Sequence, residues 1–296
     1  MEFPNRRYLP RVELEAACPG RLEGAVLEGL WVAGSLEGLA APAVAVVGTR
    51  APSDEGRRRA RALARVLGRS GVCVVSGLAL GIDAAAHEGA LAAGAPTIGV
   101  LGGGHERFFP PRNRELGARM IAAGGAVVSP FAPDTQPQPW MFLARNAVIA
   151  ALADAVVVVE AAARSGALNT AGHAADRGIP VLAFPGDVER PKAAGCNALI
   201  RDGATLVRDA ADVLDAIALP APRNAAQDVH DDEPAVRALL RALQDGPAEP
   251  GTLAEKLALP PPEVFALLGE LEIRGRVVAG ADGYRDAASV TDRAAV

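Results

Sequence analysis

Apolar and polar positions along this chain follow two rhythms, and the switch between them marks where elements begin. Short, nearly continuous apolar runs recur at Ala43 to Gly48, Val72 to Ser76, Thr97 to Leu101, Ala126 to Ser129, Ala155 to Glu160, Pro180 to Phe184 and Thr205 to Val207. Between them lie Ala/Leu/Arg stretches with helical spacing, such as Glu55 to Arg69 and Arg112 to Ala123. Runs this apolar predict strands covered on both faces, and their alternation with helices predicts βαβ units. The expected fold class is α/β, with a mostly parallel sheet flanked by helices. Residues 1–40 are polar, punctuated by Gly and Pro, and too short to hold a core; they are expected to lie against the main domain at 41–218. The Pro-rich, acidic stretch 219–233 reads as a linker. Beyond it the pattern predicts helices at Pro234 to Leu243, Thr252 to Leu257 and Pro261 to Arg274, then two short strands around Asp282-Gly283. Three helices and a β-ribbon over 234–286 predict a small C-terminal winged-helix domain.

Length and composition fit this division, since 296 residues, half of them apolar, suffice for one full α/β core and a small second domain. The formal charge of −5 excludes a protein coated in positive charge, so any nucleic-acid contact has to be local. Three scattered cysteines, Cys18, Cys73 and Cys196, suit a reducing compartment. No stretch offers 18 apolar residues in a row, and Met1 to Arg11 lacks the apolar core of a leader, so a cytoplasmic protein without membrane contact is expected. From Pro234 to Arg285 there are six basic and seven acidic residues, with Glu263, Glu270 and Glu272 on the third helix. That helix would repel phosphate, which favours a protein partner over a DNA groove.

The strands at Val44, Val72 and Thr97 each end in glycine where a helix should begin, and backbone N–H groups at such a junction bind anions. The first loop reads Gly48-Thr49-Arg50, followed by Ala51-Pro52, so the dinucleotide fingerprint is absent and a redox enzyme is disfavoured. Arg50 either meets a ligand at the carboxyl end of the sheet or pairs with Asp54 or Glu55 on the surface. Asp83 and His87, four apart, are a conceivable acid/base pair, or else a helix cap or local hydrogen bond. His105, His173 and His230 stand alone, and neither a metal nor a cofactor is expected. Gly102 to Leu116 joins Phe108 and Phe109 to Arg107, Arg112 and Arg114, the mixture of stacking faces and cations that single strands use; either Phe could instead plug the core. Trp140, Phe142, Arg145 and Asn146 form a second cluster, with a hydrophobic anchor as the bland alternative. In the third, Arg164 precedes Ser165-Gly166 at a helix start. Three anion-suited loops exceed the needs of one nucleotide and favour an extended phosphate chain.

Together these clusters resemble the DNA-processing protein A family, also called DprA or Smf. The resemblance rests on VAVVGTR from Val44, SGLALGIDAAAH from Ser76, GGGHERFFP from Gly102, FLARNA from Phe142, VVEAAARSGALNTA from Val158, FPG from Phe184 and GCNALIRDGA from Gly195, in the family's order. It covers about Leu30 to Ile217. It implies an extended Rossmann-like domain, often dimeric and often followed by a winged helix. It also implies a non-enzymatic protein that binds single-stranded DNA, protects it and loads the RecA recombinase in natural transformation, with single-strand-binding protein as a further partner. The implied DNA-binding set is Gly48, Thr49, Arg50, Ser76, Gly77, Phe109, Arg112, Arg145, Asn146, Arg164, Ser165, Gly166 and Lys192, with no catalytic residue. The chain departs from the family at Ala147 and Ala162, where basic residues are usual, and the N-terminal SAM-like domain of many members is expected to be absent or vestigial. Fewer phosphate contacts imply weaker, less salt-sensitive binding, with Arg190, Lys192 and Arg201 as substitutes.

Two other readings stand beside this one. A Rossmann-type nucleoside-monophosphate phosphoribohydrolase would carry a P-G-G-x-G-T-x-x-E run, whereas the comparable place reads RSGALNTAGHAAD. A DNA-binding regulator acting through the winged helix conflicts with the acidic third helix.

Overall fold

A computed structural model describes residues 3, 6–219, 234–244, 246–273, 276–280 and 282–286, in two compact units divided between residues 225 and 226. The first unit is built on a nine-stranded sheet: β1 (Arg7–Pro10), β2 (Gly29–Gly34), β3 (Ala43–Val47), β4 (Cys73–Ser76), β5 (Thr97–Val100), β6 (Ala126–Ser129), β7 (Ala155–Val158), β8 (Val181–Ala183) and β9 (Thr205–Leu206). The order is β1-β2-β6-β5-β4-β3-β7-β8-β9. From β6 to β9 all pairings are parallel, and β1 and β2 extend one end antiparallel. The last seven strands are those the apolar runs predict.

Burial on both faces explains why the runs of β3 to β8 are continuous, whereas both residues of the edge strand β9 are exposed. Along β3, Ala43, Ala45 and Val47 enter one apolar layer while Val44 and Val46 enter the other. The first layer is closed by α5 (Pro139–Ala151) and α6 (Gly166–Ala175), the second by α2 (Asp54–Arg69), α3 (Ile82–Ala92) and α8 (Ala210–Ala216). A further cluster sets α4 (Arg114–Ala122) with Phe108 and Phe3 against Leu78, Leu101 and Val127. Helix α2 starts where its sequence says it should: the Ser53 side chain accepts from Gly56 N at 3.0 Å, and Asp54 and Glu55 occupy the positive first turn.

The first forty residues supply β1, β2 and α1 (Arg11–Ala17), and their Leu14, Leu22, Leu27 and Leu30 join the first apolar layer. Arg21 fastens this extension to the sheet. Its guanidinium makes two 2.8 Å bonds to the Asp154 carboxylate and donates to Ala41 O at 2.7 Å, while Asp154 also accepts from Ala43 N. Such two-toothed, partly buried pairing fixes orientation as well as distance. Helix α7 (Ala194–Arg201) follows β8. Of the expected linker, residues 220–233 lie outside the described residues.

The second unit contains α9 (Pro234–Gln244), α10 (Pro250–Leu257), α11 (Pro261–Ile273) and the antiparallel pair β10 (Val277–Gly280) and β11 (Gly283–Asp286). Its own core includes Leu239, Leu243, Leu253, Val264, Leu268 and Val277. The helices and ribbon are those predicted for a winged helix. Glu263, Glu270 and Glu272 are exposed on α11; Arg274 lies outside the described residues.

Candidate nucleic-acid interface

Strand β3 has β4 on one side and β7 on the other, and from this pair the chain runs outward in opposite directions. The loops at its carboxyl end therefore part, leaving the crevice where open α/β sheets place ligands. A cleft of about 300 Å³ occupies this position, walled by the Gly48-Thr49-Arg50 loop, by Phe142 and Asn146 of α5, and by Ser165 and Gly166 at the start of α6.

Arg50 is exposed and lies over the Phe142 ring, with its guanidinium carbon 5.4 Å from the ring centroid. Phe109 meets Phe142 edge-on at 5.8 Å and is 48% exposed. Cation and aromatic faces thus form one array at the cleft mouth. The adjacent Phe108 is the core plug, buried and stacked on Phe3 at 5.4 Å. Glu55 pairs with Arg59 and, at 3.6 Å, with Arg190. Arg50 is left on Phe142, over the crevice.

The loop that carries Arg50 is held at both ends by one residue. The Glu160 carbonyl accepts from Thr49 N at 2.7 Å, and the Glu160 carboxylate accepts from Ser53 N at 3.0 Å and from the Ser53 hydroxyl. Thr49 O also accepts from Ile82 N. Glu160 closes the VVE run in the sequence, but nothing there showed that its carboxylate would turn back to Ser53.

Other members of the predicted set support the cleft from beneath. Ser76 is buried and its hydroxyl donates to Val46 O at 2.6 Å. Gly77 N donates to the Asp83 carboxylate at 3.1 Å, and the Arg145 guanidinium donates to Gly77 O and Val100 O. A Cβ at Gly77 would lie 2.6 Å from Arg145 Nη1 and 2.7 Å from Asp83 Oδ2, so only glycine leaves room for this arrangement. Arg145 is 4% exposed, and burial lowers its pKa to about 10, although the Asp83 charge works against that shift. Burial likewise raises Asp83, against the pull of Arg145. Asn146 donates to Gly166 O at 3.1 Å and Asn169 Oδ1 at 3.2 Å, anchoring the start of α6, where the Ser165 side chain accepts from Ala167 N.

Asp83 and His87 form no pair. Asp83 accepts from Gly77 N and Ala79 N, so it closes the preceding loop rather than capping its own helix. His87 Nδ1 lies 2.8 Å from Thr97 Oγ1, whose hydroxyl donates to Val74 O. The hydroxyl has one proton to give, so His87 Nδ1 carries the proton of their shared bond. Burial drives the His87 pKa down to about 3, helped by the Arg145 charge.

Three predicted residues stand apart from this cleft. Arg112 is exposed on the turn Pro111–Asn113, Arg164 is exposed just before Ser165, and Lys192 donates to Ala51 O at 2.7 Å from the far side of the loop. Arg201 pairs with Asp202 and lines no cleft described here. Asn113, absent from the predicted set, donates to Leu78 O and Ala79 O and so steadies the SGLALG loop. Among the described residues there is no cluster of His, Cys, Asp or Glu suited to a metal, and no helix long and apolar enough to cross a membrane.

The model of the DNA recombination-mediator protein A family matches residues 24–218, which carry all of these loops. The chain belongs to that family. The model of the DprA winged helix domain matches residues 220–283. Protein Smf of Escherichia coli is 38% identical over 293 residues, covering 96% of this chain and 78% of that protein. The chain covers between 42% and 65% of the length of other curated relatives it matches. Among solved structures, DprA of Streptococcus pneumoniae superposes with a TM-score of 0.65 at 38% identity, over 72% of this chain and 75% of that one. DprA of Helicobacter pylori, studied for its single-stranded DNA binding mode, gives 0.64 at 27% identity over 74% of this chain and 98% of that one. DprA members thus supply the fold, a mostly parallel α/β sheet followed by a winged helix.

Proposed function

We propose that this chain is a non-enzymatic cytoplasmic protein that binds single-stranded DNA, protects it on entry and loads RecA recombinase onto it during natural transformation. The observation that carries the reading is the Arg50, Phe142 and Phe109 array at the mouth of the switch-point cleft. A guanidinium holds a phosphate while aromatic faces accept unstacked bases, and a duplex offers no such faces. Three further features support it. The start of α6 adds backbone N–H groups at the same edge. The carboxylates nearest the cleft are engaged, Glu160 with Ser53 and Asp83 with Gly77 and Ala79, which leaves neither placed as a general base. The relatives named above act in DNA processing and recombination. The protein works as a homodimer, with RecA and single-strand-binding protein as partners, and the winged helix, acidic on α11, meets protein.

The test is fluorescence anisotropy of labelled oligo-dT against its duplex at two salt concentrations. Wild-type protein is expected to prefer the single strand. Arg50→Ala is expected to weaken binding and to reduce the log-log salt slope by about 0.7, the value of one phosphate contact on a single strand. An unchanged affinity in Arg50→Ala would remove the cleft assignment. Release of free base from a nucleoside monophosphate would replace the reading with a phosphoribohydrolase.

A further inference from the structure

A second cleft, about 480 Å³ in volume, opens at the same edge of the sheet on the far side of the Gly48 to Ser53 loop. Its floor is apolar, made by Val159, Phe184, Pro185 and Cys196, and its rim is charged. The Arg59 guanidinium sits 5.8 Å from the Phe184 centroid and is tied to Glu55. Glu160 is spent on Ser53. Arg190, with a side chain 65% exposed and 3.6 Å from the Glu55 carboxylate, and Lys192, exposed and bonded to Ala51 O, stand on the rim as solvent-facing cations, with Asp187 beside them. An apolar floor beside two exposed cations, each held by a single contact that a phosphate can replace, suits a nucleotide, whose base is buried while its phosphate is held.

The two clefts share a wall. Thr49 and Arg50 line the first, Ser53 lines the second, and Lys192 donates across to Ala51 O between them. A strand lying on Arg50 has this loop to cross before its next nucleotides reach the second cleft.

We infer that the second cleft is a nucleotide subsite, filled by a neighbouring nucleotide of the strand held at Arg50. The inference rests on the single-strand reading above. A free mononucleotide has the same chemistry, and the experiment separates the two sources.

The measurement is anisotropy of the full chain with labelled oligo-dT of increasing length, repeated with thymidine monophosphate as competitor. Wild-type affinity is expected to rise in a step once the strand reaches the second cleft. In R190A/K192A that step is lost, and the salt slope for long strands falls by about 1.4, two contacts of about 0.7 each. Thymidine monophosphate abolishing the step would show that the subsite also takes the free nucleotide. The step lost in the variant but untouched by competitor would show that it takes only the tethered one. A double variant that binds every length with wild-type affinity and slope overturns the subsite and leaves the single-strand reading standing. Failure of wild-type protein to bind any length overturns that reading, and the subsite with it.

Discussion

Two arginines at one cleft do different work. Arg50 is exposed and backed by a ring, whereas Arg145 is buried and bonded to the carbonyls of Gly77 and Val100. Arg145→Ala is expected to cost about 3 kcal/mol of stability in urea unfolding, because it leaves two buried carbonyls without their donor and removes the positive charge that offsets buried Asp83. Oligonucleotide binding should fall with it, while Arg50→Ala leaves the unfolding midpoint where it was. Sequence alone assigned both arginines to one pocket, and both do line the cleft, but it did not give their depth, since an Arg in a helix after a Pro-rich loop reads the same in either setting. His87 gives a second test. Its folded pKa, about 3, lies below the ordinary value of 6.5. The unfolded chain therefore binds the extra proton between those pH values, and stability is lost as pH falls below about 6, by up to about 1.4 kcal/mol per pH unit. Urea midpoints from neutral to acid pH should show this slope in wild-type protein and a flatter one in His87→Gln. A slope unchanged by the substitution would assign the acid sensitivity elsewhere.

At the level of elements, the cleft depends on how closely β5 approaches α5. A Cβ at Gly102, just past β5, would lie 2.6 Å from Phe142 Cδ1. Gly102→Ala is expected to tilt the ring on which Arg50 rests and to weaken oligo-dT binding several-fold in anisotropy, with little change in stability. Equal binding by this variant would show that the ring does not position Arg50. Strands β3 to β8 were legible because both of their faces are buried, which leaves an uninterrupted apolar signal, while exposed β9 was marked by the buried Val207 that follows it. Strands β1 and β2 were not, because RYLP carries one buried residue in four and GLWVAG is broken by glycine at each end. What secures them, Arg21 on Asp154, joins residues 133 positions apart, beyond any local pattern.

For the molecule as a whole, the two units have separate cores, so their contributions are separable. Removing residues 234–296 is expected to leave oligo-dT affinity within about twofold, and isolated 234–296 is expected to show no duplex binding at low salt. Tight duplex binding by the isolated unit would return α11 to the role of a reading helix. The ordered motifs disclosed the family, while composition alone gave little more than its class. The sheet also bears on self-association. Its outermost strands are β9, two residues long, and β1, four residues long with Arg7 at one end and Pro10 at the other. Short, charged, proline-bearing edges are poor templates for another strand. A homodimer of this chain is accordingly expected to join through helices or loops, and the sheet itself to stop growing at nine strands rather than continue from copy to copy as a fibre would.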